Sequence, residues 1–235
     1  MPISKTDFVR GLQCEKMLWL DAHAPEHKII PPEVQARLDE GNAFGDRAMG
    51  IFGAFVETTT YKDDGRLNFS AMLEKTKTLV ENGEAVVCEG AFSWYGNFCA
   101  VDILRRGQTG FSLYEVKNAT LPRDEFITDL GFQRLIVRKC GLPILSSFLV
   151  LRGDDEDANA QTPSAEYIEH AGFVYKIVDV TQRAKRAEFL ASQRVFELGK
   201  LKKKDAPTPN IPVGEQCEKP YRCWYYDFCH DNGKT

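Results

Sequence analysis

The chain has 235 residues, 43% of them hydrophobic, 27% charged and 11% aromatic, with 30 Lys and Arg against 34 Asp and Glu. That length suits one domain, or one domain with an attached lobe, and can bury a core that needs no disulfides. A formal charge of −4 excludes a uniformly basic, histone-like protein but leaves room for a local basic groove. The opening MPISKTDFVRG lacks the apolar stretch of a secretory signal, and the most apolar run, 142–151, is far shorter than the roughly 20 residues that cross a bilayer. A cytoplasmic protein without membrane contact is expected, its seven cysteines kept as thiols or given to a metal.

In chain order, Ser4 opens a capping-box-like start followed by Phe8, Leu12, Leu18 and Trp19, which predicts a helix to about Leu20. A proline-rich linker leads to a second helix from Glu33 to about Ile51, and Ser70 is placed as the cap of a third, ending near Asn82-Gly83. Three strands are predicted next: 84–93, 98–104 and 111–117, separated by turn residues at 95–97 and 107–110. An amphipathic helix follows from Arg123 to Cys140, with Phe126, Leu130, Gln133 and Val137 on one stripe, then a strand at 144–151 buried on both faces. An acidic and polar stretch to about Ser164 reads as a loop. A strand over 172–180 and a helix capped by Thr181 and reaching about Leu201 complete the body. The chain divides as an N-terminal helix and linker (1–32), an α/β core (33–205) and a cysteine-rich tail (206–235).

The predicted strands carry Glu89, Asp102, Glu115 and Lys117 where apolar residues are expected. Glu115 and Lys117, two apart, leave the same face of their strand. A turn centred on Gln108-Thr109 puts Asp102 opposite Glu115, and one centred on Tyr95-Gly96 puts Glu89 opposite Asp102. Three carboxylates in a row repel one another, and one lysine cannot neutralise them. A hard divalent ion such as Mg²⁺ or Mn²⁺ can, and such a site with a lysine beside it suits attack by water on phosphorus. Ordinary acids on a solvated face are the competing reading. Gln133, the polar member of an apolar helical stripe, is either part of this site or a satisfied amide at a helix–sheet contact.

The tail runs Cys217-Glu-Lys-Pro-Tyr-Arg-Cys223-Trp-Tyr-Tyr-Asp-Phe-Cys229, three soft-metal ligands at equal six-residue steps among aromatics. Four-cysteine sites need one more thiolate, and Cys14 is the best candidate. Cys88, Cys99 and Cys140 fall in strands or at a helix end and are expected to be structural.

The set Asp102, Glu115-Val-Lys117 and Gln133, ordered on strand, strand and helix, resembles the PD-(D/E)xK nuclease superfamily. It is closest to the RecB-like branch that includes the CRISPR-associated RecB-type exonucleases. The resemblance implies Asp102 and Glu115 as metal ligands, Lys117 as catalytic lysine and Glu89, in CEGAF, as an accessory acid. RecB-like nucleases with a [4Fe–4S] cluster have one cysteine before the core and three after it, which implies that Cys14, Cys217, Cys223 and Cys229 hold a cluster joining the two ends of the chain. Cys₄ zinc is the rival, although tight Cys-x-x-Cys knuckles are absent. The chain departs from the branch where a Gly-x-x-x-His helix has Gly45 in the histidine position, and where Val137 stands at a tyrosine position.

Arg134 and Arg138 on the Gln133 helix, and Lys202 and Lys203 at the exit of the last core helix, are candidates to track a nucleic-acid backbone; a solvated helix face is the alternative. The expectation is a metal-dependent DNA nuclease, an exonuclease on single-stranded or free ends by resemblance, with protein partners in DNA repair or defence unidentified. Two rivals are a catalytically inactive nucleic-acid-binding or adaptor module that retains the fold, and a zinc-stapled structural domain.

Overall fold

The computed structural model of the protein describes residues 1–153 and 165–232. The acidic loop expected up to Ser164 lies, apart from Gly153, outside the described residues. Among those described, seven strands form one mixed sheet: β1 (Val56–Glu57), β2 (Val86–Trp94), β3 (Asn97–Arg106), β4 (Phe111–Lys117), β5 (Ile144–Arg152), β6 (Ala165–His170) and β7 (Phe173–Asp179), in the spatial order β1-β2-β3-β4-β5-β7-β6. β1 pairs parallel with β2 and β4 parallel with β5, and the other neighbours are antiparallel. The fold is therefore α/β, a mixed sheet flanked by helices. Two strands had no legible signal: β1 is two residues long, and β6 is a partly exposed edge strand whose AEYIEH is mostly polar.

The β2–β3 turn is Tyr95-Gly96, both at positive φ (49° and 79°), the twist-matched geometry of a two-residue hairpin. It fixes the register expected from sequence, from Trp94 opposite Asn97 to Val86 opposite Arg105. The β3–β4 pairing likewise runs from Arg106 opposite Phe111 to Ile103 opposite Tyr114. The connection between parallel β4 and β5 is helix α5 (Asp124–Lys139), a crossover that lies on the sheet.

The remaining helices are α1 (Lys5–Gln13), α2 (Glu15–His23), α3 (Pro32–Ala48), α4 (Phe69–Glu81), α6 (Thr181–Lys200) and α7 (Tyr226–Asn232). Three expectations about their ends are corrected. The first helix breaks at Cys14, which is extended (φ −159°, ψ 115°) and serves as C-cap of α1 and N-cap of α2. Asn68, not Ser70, caps α4, its side chain accepting from Ala71 N. Thr181 is the first residue of α6 rather than its cap, and its hydroxyl accepts from Ser147 N of β5. The capping box at Ser4 is present: Ser4 Oγ accepts from Asp7 N and Asp7 accepts from Ser4 N.

One face of the sheet packs Phe8 of α1, most of α5 and Ala184, Ala191, Val195 and Leu198 of α6 into the main core. The other face carries a smaller core with Phe44 and Ala48 of α3 against Ile103, Tyr114 and Val116. Helix α5 lies between sheet and α6, so it is buried almost all round from Phe126 to Val137 and is not the one-striped amphipathic helix expected. Gly131 marks where α5 and α6 touch: a Cβ there would stand 2.5 Å from that of Ala187.

This burial corrects one proposed nucleic-acid contact. Arg134 is 1% exposed; its Nε donates to Glu188 Oε2 at 3.1 Å and its Nη1 to Ser147 Oγ at 2.8 Å. It is a buried structural cation and cannot reach a phosphate outside. An Arg134→Met variant leaves Glu188 with Arg138 alone and the buried Ser147 hydroxyl without its donor, and is expected to lose roughly 3 kcal/mol, whereas Arg134→Met/Glu188→Met removes both buried charges and recovers part of that loss. Urea unfolding of the three proteins measures the difference.

Candidate functional site

Strand β4 sends Glu115 and Lys117 to the face covered by α5, as their two-residue spacing requires. Glu115 is fully buried, and Lys117 Nζ lies 2.6 Å from its Oε1. Asp102 on β3 reaches the same place with a difference from the expected plain pairing. Its Oδ2 accepts from Val116 N at 2.7 Å, so the carboxylate takes over a ladder hydrogen bond where the β3–β4 pairing ends.

Glu89 lies at the matching point of β2. The β2–β3 ladder holds Cys88 opposite Ile103 and Gly90 opposite Val101 but omits the pair between them. Glu89 has φ 54°, a left-handed conformation that non-glycine residues adopt at some cost, and its carbonyl accepts from the Thr58 hydroxyl. Side-chain parity reverses here: Val87 and Leu104 face the main core on one side of the break, and Phe92, Cys99 and Val101 on the other. The expected acidic row is thus present as a local fault in the sheet rather than a regular cross-strand row.

Gln133 of α5 is also fully buried, and its Nε2 donates to Glu115 Oε2 at 2.5 Å and to Asp129 Oδ1 at 3.0 Å. Its Oε1 is buried without a partner. Two residues of this cluster were not anticipated. Asp129, one turn before Gln133 on the same helix face, holds Lys117 Nζ at 2.9 Å; the i, i+4 spacing of two polar residues on a buried helix was the available signal. Lys5, at the start of α1, places Nζ 3.1 Å from Glu115 Oε1, 3.7 Å from Asp102 Oδ1 and 3.7 Å from Asp129 Oδ1. Nothing local in the sequence marks Lys5.

The electrostatics follow from this crowding. Burial raises the Glu115 carboxyl, but Lys117 and Lys5 outweigh it and hold the group well below the usual carboxylate range. Burial, then the Glu115 charge, push Asp102 up to about 6; burial, then Asp102, push Glu89 up to about 7. Asp129 is raised by burial and by Glu115. Lys117 is held firmly as a cation: burial works against its charge, and Asp129 and Glu115 prevail.

The four cysteines singled out from the sequence line one cavity, with Met17, Leu20 and Tyr225 around them. Cys14 is half-buried at the α1–α2 break; Cys217 and Cys223 are buried; Cys229 sits on α7. Burial pushes the Cys223 thiol up to about 11, and Cys14 and Cys229 are raised for the same reason. No three His, Cys, Asp or Glu side chains among the described residues are grouped as a single metal ion would need. Cys88 and Cys99 are buried in β2 and β3, while Cys140 is exposed at the end of α5.

The two termini interlock. Gln13 Nε2 donates to the carbonyls of Gln216 and Tyr221, Trp19 Nε1 to that of Ala206, and Tyr225 OH to Asp21, which also pairs with Arg10 and Lys28. Tyr221 of the tail stands beside Glu125 near Lys117, burial and the Glu125 carboxylate pushing its hydroxyl up to about 12. Of the other suggested nucleic-acid contacts, Arg138 pairs with Glu188 at 2.6 Å while half exposed, Lys202 pairs with Asp7 at 2.8 Å, and Lys203 is exposed. Gly45 on α3 faces open space. No helix among the described residues is long and apolar enough to cross a membrane.

Comparison with known proteins finds no matching family model and no match among curated proteins.

The titration of the acidic cluster predicts an unusual pH profile for the protein kept in chelator. Asp102 and Glu89 retain protons in the fold from their ordinary 3.8 and 4.5 up to about 6 and 7, so the folded state binds more protons than the unfolded chain in that window. Stability therefore falls as pH rises through it, while below it the depressed Glu115 costs stability as the pH drops. Urea midpoints between pH 4 and 8 are expected to decline toward neutrality, and Glu89→Gln is expected to flatten the upper half of the decline.

Proposed function

We propose that the protein is a metal-dependent nuclease of the PD-(D/E)xK type, hydrolysing DNA phosphodiesters, with single-stranded or free ends as the favoured substrate. The observation that carries this reading is the meeting of Asp102, Glu115, Lys117 and Gln133 from two strands and a helix, with Glu115 wholly buried yet ionised. A structural ion pair needs one acid and one base. Here four carboxylates face two lysines at a break in the sheet, an acidic excess that supports a divalent-ion reading, although with Lys5 among them no three of the acids are gathered as one ion would need.

In this reading Asp102 and Glu115 hold Mg²⁺ or Mn²⁺, with Glu89 as accessory acid. The ion supplies Lewis-acid stabilisation of phosphate charge and a more acidic water. Lys117, fixed as a cation between Glu115 and Asp129, orients the attacking water and faces the phosphate oxygens. Gln133 locks both carboxylates in place, and its unpaired Oε1 is available to a water. Tyr221 from the tail, 45% exposed beside Lys117, offers a ring on which an unpaired base can stack.

For the second centre, four cysteines that line one shared cavity, from the α1–α2 break and from the tail, support the reading of a [4Fe–4S] cluster. A structural role fits its position, since the same residues knit the N-terminal helices to the tail. One observation favours the rival reading of a non-catalytic nucleic-acid-binding or adaptor module: the Lys5 ammonium sits among the very carboxylates that would take the ion.

Anaerobically purified protein incubated with end-labelled single-stranded DNA and Mn²⁺ is expected to degrade it. Lys117→Ala and Glu115→Gln are each expected to be slower by roughly 10²-fold or more. Absence of cleavage by the parent with its cluster intact, together with retained DNA binding, selects the adaptor reading. The anaerobic protein is expected to carry about four irons per chain, and Cys223→Ser to lose most of them; a colourless parent with stoichiometric zinc refutes the cluster.

A further inference from the structure

Lys5 is not part of the lysine–carboxylate motif, yet it is placed as firmly as the residues that are. Ile3 N donates to Asn97 Oδ1 at 3.0 Å and Phe98 N to Ile3 O at 3.0 Å, which lays the chain before α1 along the start of β3. The capping box then sets the first turn, so that Lys5 enters the acidic cluster from the side of α1. Farther along, Lys202 grips Asp7 at 2.8 Å and Gln13 is tied to the tail.

The atoms Lys5 meets are telling. Its ammonium lies against oxygens of three carboxylates from β3, β4 and α5, 3.1 to 3.7 Å away. Asp102 commits Oδ2 to the Val116 amide and turns Oδ1 toward Lys5. Glu115 shares Oε1 between Lys5 and Lys117. The fully buried Gln133 donates to two of the same acids and leaves its own Oε1 unpartnered. A divalent ion held by Asp102 and Glu115 would compete for these oxygens, and it would repel an ammonium held in the same cage.

We propose that Lys5 is an internal counter-cation that fills the carboxylate cage in the metal-free protein and is displaced by the divalent ion, so that Lys5 sets the metal affinity of the site. This rests on the reading of Asp102 and Glu115 as the residues that hold the ion. Displacement is open to Lys5 because its side chain is 24% exposed and ends a flexible four-carbon stem, whereas Glu115 has no such freedom. The arrangement explains how three crowded acids stay folded before metal arrives, and it makes metal loading an exchange of cations rather than the filling of an unbalanced hole.

The test is direct Mn²⁺ titration by calorimetry on the full-length, anaerobically purified protein without DNA, comparing the parent with Lys5→Met, Lys5→Gln and Lys5→Arg. The first two remove the charge and are expected to bind Mn²⁺ roughly tenfold more tightly, while Lys5→Arg stays near the parent. In chelator both neutral variants are expected to melt below the parent, and Mn²⁺ is expected to raise their melting temperature by more than it raises the parent's. Equal or weaker Mn²⁺ binding by folded Lys5→Met and Lys5→Gln overturns the inference and leaves the metal site standing. Binding by none of the four proteins overturns both. Adding Asp102→Asn to Lys5→Met is expected to abolish the gain, and a gain that survives it lies elsewhere and also overturns the inference.

Discussion

The buried charge of Glu115 is the constraint on which the rest of this structure depends. A carboxylate removed from water is costly unless cations and hydrogen-bond donors replace its hydration. Here the replacements come from separate elements: Lys117 from its own strand, Gln133 from α5 and Lys5 from α1. Each can reach Glu115 only if its element sits where it does. Glu115 thus ties α5 and α1 to β4 within the apolar core that packs both helices on the sheet. The acidic excess separates this cluster from the neighbouring Glu188 site, where one carboxylate is held by two arginines, Arg134 and Arg138.

Helix α1 connects the two chemically distinct parts of the molecule. Its first residue enters the acidic cluster, and Cys14, which ends it, enters the cysteine cavity. The two sites make opposite demands. Carboxylate oxygens from β3, β4 and α5 crowd around two ammonium groups at the end of a broken ladder, whereas the cysteines line an apolar cavity in which burial pushes the Cys223 thiol up to about 11. The tail reaches back from the cysteine pocket through Tyr221, whose carbonyl accepts from Gln13 and whose hydroxyl lies by Glu125 near Lys117.

Much of this was legible because local rules governed it. Two-residue turn chemistry set the β2–β3 and β3–β4 registers, and a period of two put Glu115 and Lys117 on one face. The four cysteines line one cavity, but they are not grouped as a single metal ion would need. What escaped was non-local or broke a local rule. Lys5 meets Glu115 across 110 residues and occupies an ordinary helix-start position. Glu89 obeys the register arithmetic, but its left-handed backbone reverses the face parity of the strand, which no alternation pattern foretells. Arg134 looked like surface charge because a helix covered on both sides has no solvent face, and only the position of α6 reveals that covering.

The break in the β2–β3 ladder at Glu89 brings these strands together into a single argument. A regular sheet would place Glu89 and Asp102 as a cross-strand pair of like charges, with nothing but repulsion between them. The left-handed residue Glu89 leaves that pair out of the ladder, its carbonyl accepting from the Thr58 hydroxyl, while Asp102 Oδ2 accepts from Val116 N on the β4 side. Asp102 is thereby freed to aim one oxygen at Lys5 while its other oxygen holds β4. Backbone strain, acid crowding and an internal ammonium meet at one place: a sheet opened at a single residue pair, where the carboxylates still press on one another and the Lys5 ammonium lies against three of them.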